Sequence, residues 1–506
     1  MTAFDRMLNR QNKMAQPGTS APVSDRRWVI LSVVAVAQLM VVLDTTVVNI
    51  ALPSAQRALG FADSDRQWVV TAYALAFGSL LLVGGRLGDM YDRKWVLITG
   101  LAGFAVSSAV GGAAVSFGML ITARAFQGAF AAVLAPAALG TLVSTFTEQG
   151  ERGKAFGVFG AVAAGGGGVG LILGGVLTQY LSWRWCLYVN LVFAAIAVAG
   201  ALVYLPSGRP GARPGMDWPG TVLASGGLFL LVFGFSRAET AGWTSALTIG
   251  SLFAGLLLLA AFAAAEQRAG SLLLPLRVIL DRTRGGAYVS VGLTGIALSS
   301  VFLFLTYYLQ VVKGDSPLTT GLLFLPLVAG ILVSSNVASI VTLPLVGPRV
   351  LIASGMLMGA AAMAYLTRLT VTSSYPVGVL PALLVMGLGL GTVIAPATNT
   401  ATAGVRREDS GVASAMVNTM QQVGGSIGVS ALSTIALTAV TSYLVAHHPG
   451  PLAPAIAATR GYTLAFTVSA GVLALGAIIA VILVPSRRRL AELRTAATAA
   501  AAAAPA

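Results

Sequence analysis

Long apolar runs separated by short polar segments fill this chain from residue 28 to residue 484. A run of about 20 apolar residues makes a helix long enough to cross the hydrocarbon core of a bilayer. Helices are the expected form, because each one bonds its backbone polar groups internally. The pattern predicts fourteen membrane spans, at residues 28–52, 68–87, 95–115, 119–144, 155–180, 185–205, 218–235, 247–265, 287–312, 318–343, 350–366, 377–403, 412–443 and 462–484.

Internal similarity divides these spans into two sets. The stretch 132–137 in the fourth span recurs at 392–397 in the twelfth, and 93–100 at the third recurs at 348–355 at the eleventh. Both matches are offset by eight spans, which predicts two parallel six-helix repeats with two helices inserted between them. The predicted segments are an N-terminal tail at 1–27, a first bundle at 28–205, a linker with the two inserted helices at 206–284, a second bundle at 285–484 and a basic, Ala-rich tail at 485–506.

Composition agrees with a membrane protein. With 56% hydrophobic and 9% charged residues, the chain has too few charged groups to cover a water-soluble surface. The net charge of +14 indicates membrane orientation rather than nucleic-acid binding, because 23 of the 31 lysines and arginines fall in alternate connecting segments and only 7 in the others. Such an excess marks the cytoplasmic side. We therefore predict a multi-pass plasma-membrane protein with both termini in the cytoplasm.

Candidates for enzymatic or metal chemistry are few. The single cysteine, Cys186, has no disulfide partner, and the only two histidines, His447 and His448, are adjacent in a predicted loop. No nucleophile, base and orienting group cluster together, and no Gly-rich loop ends in Lys-Ser or Lys-Thr as a phosphate site would. We expect no catalytic site, no metal and no cofactor.

Asp44 is the only carboxylate inside the first span. An ionised acid at the middle of a membrane helix costs about 2.5–3.5 kcal/mol, so such residues face a protein interior or a wet cavity and often bind protons. One interpretation is a titratable group whose protonation differs between two access states. The other is a structural acid, satisfied by Thr45, Thr46 or Asn49 on the same helix.

Arg124 is the one basic residue predicted to be buried within a span, near the start of the fourth. Its guanidinium must meet a carboxylate, a carbonyl group or water. We hypothesise that Arg124 pairs with Asp44. The alternative is that its side chain extends to the nearby extracellular interface.

Two further sets of side chains can shape close helix contacts or a polar cavity. Small residues in the fifth span, which let a neighbouring helix approach closely, are Gly166, Gly170, Gly174 and Gly175. Amide side chains that are candidates for a substrate cavity are Asn49, Gln127, Asn418, Gln421 and Gln422. The alternative role for such amides is hydrogen bonding between helices.

Six short motifs carry a family resemblance. They are Gly85-Arg86-Leu87-Gly88-Asp89-Met90-Tyr91-Asp92-Arg93-Lys94, Arg124-Ala125-Phe126-Gln127-Gly128, the segment 43–53, Trp183-Arg184-Trp185 followed by Asn190, Asp217-Trp218-Pro219-Gly220, and Tyr308-Leu309-Gln310 followed by Pro326. With these motifs the chain resembles the major facilitator superfamily, and within it the fourteen-helix drug:proton antiporters, over nearly its whole length. Two positions depart from that family: Asp92 stands where a second glycine is usual, and Leu171 where a proline is expected.

The resemblance implies a major facilitator fold, in which an all-α polytopic membrane protein has two six-helix bundles plus two inserted helices. It also implies a proton-transfer role for Arg124 and a cytoplasmic gate at the first motif. In that gate, glycines allow close helix approach and charged residues pair with each other or with a neighbouring helix end. The gate residues are Gly85, Gly88, Asp89, Arg93 and Lys94.

The predicted function is proton-coupled efflux of lipophilic drugs or antibiotics by a monomer. Its expected partners are protons, a lipophilic small molecule and the lipid bilayer, without nucleic acid. Two alternatives remain open: a dedicated exporter of a single endogenous metabolite and, in a different class, a non-transporting membrane sensor.

Overall fold

The computed structural model describes residues 23–146, 148–208, 217–266, 281–402, 405, 410–446, 450–489 and 492. Most of both predicted tails, and parts of the linker at 206–284, therefore lie outside the described residues. The side chain of Asp89 also lies outside this description.

Fourteen helices follow one another in the described part of the chain and are numbered here in order. They are α1 (Val23–Leu59), α2 (Arg66–Met90), α3 (Arg93–Gly112), α4 (Phe117–Thr145), α5 (Gln149–Tyr180), α6 (Trp185–Tyr204), α7 (Trp218–Ala241), α8 (Ala246–Glu266), α9 (Arg282–Val312), α10 (Pro317–Val346), α11 (Pro348–Leu366), α12 (Tyr375–Ala401), α13 (Ser410–Ala446) and α14 (Ala453–Leu483). Helix α9 includes π-helical turns at Val301–Leu305 and Tyr308–Val312, and α10 includes one at Ala338–Thr342.

Twelve of the described helices are long and apolar enough to cross a membrane. Helices α2 and α7 are not among them; within the residues that are fully described, the apolar stretch of α7 is Pro219–Phe235. The predicted all-α membrane fold is confirmed, whereas the number of fourteen spans stays a prediction.

The helix contacts fall into two groups that share one pattern. In the first group, α4 lies against α2 and α3, α1 lies against α5 and α6, and α3 lies against α6. In the second group, α12 lies against α10 and α11, α9 lies against α13 and α14, and α11 lies against α14. Each contact in the second group repeats one in the first with an offset of eight helices, the same offset that the sequence repeats have.

The two groups meet where α2 lies against α13 and α5 lies against α10. One hydrophobic core cluster runs through both groups, from Val48 and Leu52 on α1 to Tyr307 on α9 and Phe466 on α14, and continues in the second group to its predicted cytoplasmic end at Ala287 and Val484. A second cluster, around Phe104, contains residues of the first group alone. The extracellular half of the first group therefore shares a core with the second group, and the other half of the first group has a core of its own.

Side-chain caps place several helix ends. Asp217 begins α7 by accepting a hydrogen bond from the Gly220 backbone N–H at 2.9 Å, and Pro219 occupies the first turn. Both are favoured at helix starts, so this motif is a start signal for the first inserted helix. Helix α7 then lies against α2 and α13, and α8 lies against α7. The insertion is thus held at the contact between the two bundles.

Candidate functional site

Asp44 lies within α1 and has no exposed surface. Its carboxylate accepts hydrogen bonds from three side chains on other helices. Arg124 Nη1 lies 2.5 Å from Oδ2, while Asn190 Nδ2 and Gln127 Nε2 lie 2.8 Å and 3.0 Å from Oδ1. An ionised carboxylate is an acceptor only, so this set of donors fits the charged form of Asp44.

The Arg124 side chain is directed into the protein and is only 2% exposed. Besides Asp44, it donates to Gln127 Oε1 at 2.9 Å and to the Val69 backbone carbonyl at 3.1 Å. Its guanidinium also lies 4.4 Å from the centroid of the Tyr73 ring. Arg124 therefore pairs with the acid and does not extend to the extracellular interface.

Helices α3 and α6 complete the group. Ser108 Oγ on α3 accepts hydrogen bonds from Gln127 Nε2 at 2.5 Å and from Asn190 Nδ2 on α6 at 3.4 Å. We name Asp44, Ser108, Arg124, Gln127 and Asn190 the Asp44 cluster. It joins four helices of the first bundle. Within the described residues, no three His, Cys, Asp or Glu side chains lie together as a metal site would require.

The polar neighbours of Asp44 on α1 bond to their own helix instead. Thr45 and Thr46 donate to backbone carbonyls one turn earlier, at 2.8 Å and 3.1 Å. Asn49 Nδ2 donates to the Thr45 carbonyl at 2.9 Å. The acid is therefore satisfied by side chains of α4 and α6 and not by the residues beside it in the sequence.

The glycine face of α5 lies against α1. A Cβ at Gly166 would touch Leu39, one at Gly170 would run into Thr46 Oγ1, and one at Gly174 would lie 2.9 Å from a backbone atom of α1. The next residue, Gly175, faces the backbone of α10 in the other bundle instead. These small residues let α5 fit between the helix that carries Asp44 and the second bundle.

Arg93 and Lys94, of the predicted gate, both bind helix carbonyls within the first bundle. Arg93 Nη1 donates to the Gly140 carbonyl of α4 at 3.0 Å, and Lys94 Nζ donates to the Leu202 carbonyl in the last turn of α6 at 2.8 Å. Asp92 caps α3, because its carboxylate accepts from the Lys94 backbone N–H at 2.9 Å. The acid that departs from the family pattern thus has a local structural role at this helix start.

The two gate glycines have different surroundings. A Cβ at Gly85 would lie 3.9 Å from Pro136 on α4, whereas nothing lies within 4 Å of the corresponding position at Gly88. Only Gly85 therefore faces a neighbouring helix closely in this conformation.

The amides predicted for a substrate cavity occupy three kinds of place. Gln127 belongs to the Asp44 cluster, and Asn49 is bonded within α1. Asn418 on α13 is exposed, while Gln421 and Gln422 are half-buried. Gln422 lies at the contact with α2, since a Cβ at Gly78 there would be 3.6 Å from its Cβ. The structure brings none of the three α13 amides to Asp44.

The predicted extracellular end is closed by contacts between the bundles. Tyr307 on α9 donates to Gln56 Oε1 on α1 at 2.6 Å, and Gln310 donates to a backbone carbonyl of α1 at 3.0 Å. The guanidinium of Arg66, at the start of α2, lies 4.3 Å from the Tyr307 ring centroid and 5.7 Å from that of Tyr462 on α14. Cation–π contacts of this kind stabilise a desolvated arginine. We name Gln56, Arg66, Tyr307 and Tyr462 the extracellular clamp.

Known proteins share this arrangement of helices. The sequence profile of the Major Facilitator Superfamily matches residues 34–429. This chain belongs to that superfamily. Among its relatives in the superfamily, puromycin resistance protein pur8 of Streptomyces alboniger is 49% identical over 469 residues, which cover 92% of this chain and 93% of that protein. Cephamycin export protein CmcT of Amycolatopsis lactamdurans is 41% identical over 402 residues, covering 79% and 83% of the two chains.

Solved transporters have the same fold. An auto-inhibited POT family peptide transporter superposes with a TM-score of 0.64 at 17% identity, covering 90% of this chain and 97% of that one. A bacterial homologue of the human lysosomal transporter Spinster superposes with a TM-score of 0.63 at 15% identity, covering 94% and 99%. The resemblance to the superfamily and its fold is therefore confirmed, and membership of the fourteen-helix branch stays a prediction.

Proposed function

We propose that this protein is a proton-coupled antiporter that exports antibiotic-like lipophilic compounds across the plasma membrane, with both termini in the cytoplasm. The observation that carries the proposal is the Asp44 cluster, in which a fully buried acid and arginine are in direct contact inside a transporter fold. Ionisable groups within a membrane domain commonly serve proton transfer. Relatives named for antibiotic resistance and export support the choice of cargo.

Protonation of Asp44 changes the charge balance of the cluster. While the acid is ionised, its charge and that of Arg124 cancel at hydrogen-bond distance. A proton on Asp44 leaves Arg124 as an unbalanced buried cation, and removing the partner of a buried charge costs about 3–5 kcal/mol. Because α1, α3, α4 and α6 meet at this cluster, the cost acts on the packing of the whole first bundle. A change in packing of that size is sufficient to shift an equilibrium between access states.

Arg124 retains other partners when Asp44 is neutral. Gln127 Oε1 and the Val69 carbonyl both accept from its guanidinium. These contacts hold the arginine near the acid, so that it favours release of the proton once the other side of the membrane is reached. The membrane potential assists the cycle by about 2.3 kcal/mol per transferred charge per 100 mV.

The gate motif has a separate role in the proposal. Arg93 and Lys94 fasten the start of α3 to α4 and α6, so that the predicted cytoplasmic end of the first bundle moves as one unit. Gly85, on the last turns of α2, packs against α4 of that unit, and Asp89 lies one turn further along α2.

A second candidate is an exporter dedicated to one metabolite. Three relatives are each named for a single compound: puromycin, cephamycin and lincomycin. Such names favour a narrow cargo range over a broad one. The two candidates share the same proton chemistry at Asp44 and differ only in the number of compounds that the protein exports.

Proton movement in everted membrane vesicles tests the proposal. We expect a compound-dependent pH change with the wild type that Asp44→Asn loses. The matched control is Asp315→Asn, which makes the same chemical change in the loop between α9 and α10 and should behave as the wild type. A panel of unrelated antibiotics separates the candidates, because a dedicated exporter responds to one compound class. An undiminished pH change in Asp44→Asn would show that the cluster does not carry the proton.

A further inference from the structure

Polar side chains are buried where α2 of the first bundle meets α13 of the second. Gln67 and Thr71 on α2, and Ser426 and Ser433 on α13, are each at most 3% exposed. The amide oxygen and nitrogen of Gln67 and the three hydroxyl groups have no hydrogen-bond partner among the described residues. Each buried polar group left unpaired costs about 1–3 kcal/mol, so four of them in one helix contact need an explanation. We name these four residues the polar seam.

Helix geometry places the four side chains on facing surfaces. Gly78 marks the contact, because a Cβ there would lie 3.4 Å from the Val423 side chain. Thr71 precedes Gly78 by two turns on the same face of α2, and Ser426 and Ser433 lie on the Val423 side of α13. The helices are antiparallel, since α2 begins next to the start of α14, which in turn packs on the last turns of α13. The polar seam therefore runs from the middle of the membrane towards the predicted extracellular end.

Within the described residues, the buried serines outside the polar seam have hydrogen-bond partners, although buried threonines without one also occur at Thr221, Thr248 and Thr306. Ser469 on α14 has no exposed surface, donates to the Ala465 carbonyl at 2.9 Å and lies 3.2 Å from Ser300 Oγ. That pair lies inside the second bundle, between two helices that stay in one unit. The unpaired hydroxyls of the polar seam instead lie between the two bundles.

We propose that the polar seam is the extracellular half of the export pathway: it separates when the transporter turns outward, so that water and the departing compound contact Gln67, Thr71, Ser426 and Ser433. This inference rests on the proposed efflux function. In the closed arrangement the unpaired groups raise the free energy, and hydration in the open arrangement removes that cost. The polar seam thus brings the two access states closer in free energy, which a cycling transporter requires.

The extracellular clamp lies on the predicted extracellular side of the polar seam, and its contacts stabilise the closed arrangement. Arg66 is one residue before Gln67, and its guanidinium rests on the rings of Tyr307 and Tyr462 in the second bundle. Loosening these contacts should favour the outward form without changing the seam itself. The clamp therefore offers an independent way to shift the access state.

Thiol labelling from outside intact cells tests the proposal. In a Cys186→Ala background, we introduce Ser426→Cys or Ser433→Cys, with Ser469→Cys as the buried control, and add a charged, membrane-impermeant methanethiosulfonate. Both seam cysteines should be labelled, faster when Arg66→Gln or the milder Tyr307→Phe is also present, and the control should stay unlabelled. Labelling of seam cysteines no faster than the control in either clamp variant would overturn the proposal, and would indicate internal water that never exchanges with the outside.

A second measurement uses apolar replacement of the seam. Thr71→Val should slow labelling at Ser433→Cys about tenfold, because removing one unpaired hydroxyl stabilises the closed form and about 1.4 kcal/mol is a factor of ten in an equilibrium. It should also raise the thermal unfolding midpoint, whereas Ser469→Ala should lower it. Unchanged labelling with a lowered midpoint would contradict the inference. Neither readout uses a drug or a pH gradient, so failure of the efflux proposal in vesicles is separate from failure here.

Discussion

Replacing Arg124 by glutamine removes the counter-charge of Asp44 in a site where neither side chain is more than 2% exposed. Breaking a buried pair from one side typically costs about 3–5 kcal/mol, because the remaining charge has no partner. The double variant Asp44→Asn with Arg124→Gln removes both charges and keeps amides that can bond to Gln127 and Asn190. We therefore expect the single variant to be much less stable than the wild type and the double variant to recover most of the loss.

Thermal unfolding of the purified protein in detergent compares the stability of these variants. Large proteins commonly unfold irreversibly, so the unfolding midpoints are compared at one fixed scan rate. The unfolding midpoint of Arg124→Lys should lie between those of Arg124→Gln and the double variant. An ammonium group keeps the charge but cannot bond at once to Asp44, Gln127 and the Val69 carbonyl as the guanidinium does. The double variant should still lack compound-driven proton movement. Additive losses, with the double variant less stable than either single one, would refute the idea that the two charges stabilise each other.

Other substitutions test packing and capping. Gly170→Ala should lower both the unfolding midpoint and transport, because its Cβ would run into Thr46 Oγ1, while Gly157→Ala on the same helix has nothing within 4 Å and should be neutral or stabilising by up to about 1 kcal/mol. If Gly170→Ala and Gly157→Ala changed the unfolding midpoint equally, the conclusion that Gly170 lies on the face of α5 packed against α1 would be wrong. Asp92→Ala should cost about 0.5–2 kcal/mol through loss of the α3 cap, whereas Asp92→Asn should keep it. Equal midpoints for the two Asp92 variants would show that the cap contributes nothing.

The Asp44 cluster was partly predictable from the sequence. Asp44 and Arg124 stand out because ionisable residues are rare in apolar spans and have few ways to be satisfied there. Asn190 lies in one of the motifs that resemble the family. Ser108 carries no comparable signal, since serine is common in membrane helices and usually bonds to its own helix. Its place in the cluster follows only from the packing of α3 against α4 and α6.

Contacts between the bundles were less predictable. Arg66 falls among the basic residues assigned to an extracellular segment, yet the structure buries it against two tyrosines of the second bundle. Periodicity indicates which face of a helix is apolar but not which helix of the other repeat meets it. Gln67 and Thr71 are likewise unremarkable in sequence, and their isolation becomes visible only when the partner face of α13 is known.

The single insertion makes the two flanks of this transporter chemically unequal. Because the repeats are related by an offset of eight helices, the α2–α13 and α5–α10 contacts are counterparts, but α7 covers only the first of them, donating from Ser225 to the Ser79 carbonyl at 2.7 Å. Acyl chains cannot form hydrogen bonds with polar groups. If the α2–α13 contact opened towards lipid, Gln67 and Thr71 would therefore stay unpaired and keep their free-energy cost. If the α2–α13 contact opens as proposed, α7 and α8 would shield the opening from lipid, so that water rather than acyl chains fills it. In the described part of the chain, the insertion forms no comparable cover over the α5–α10 contact.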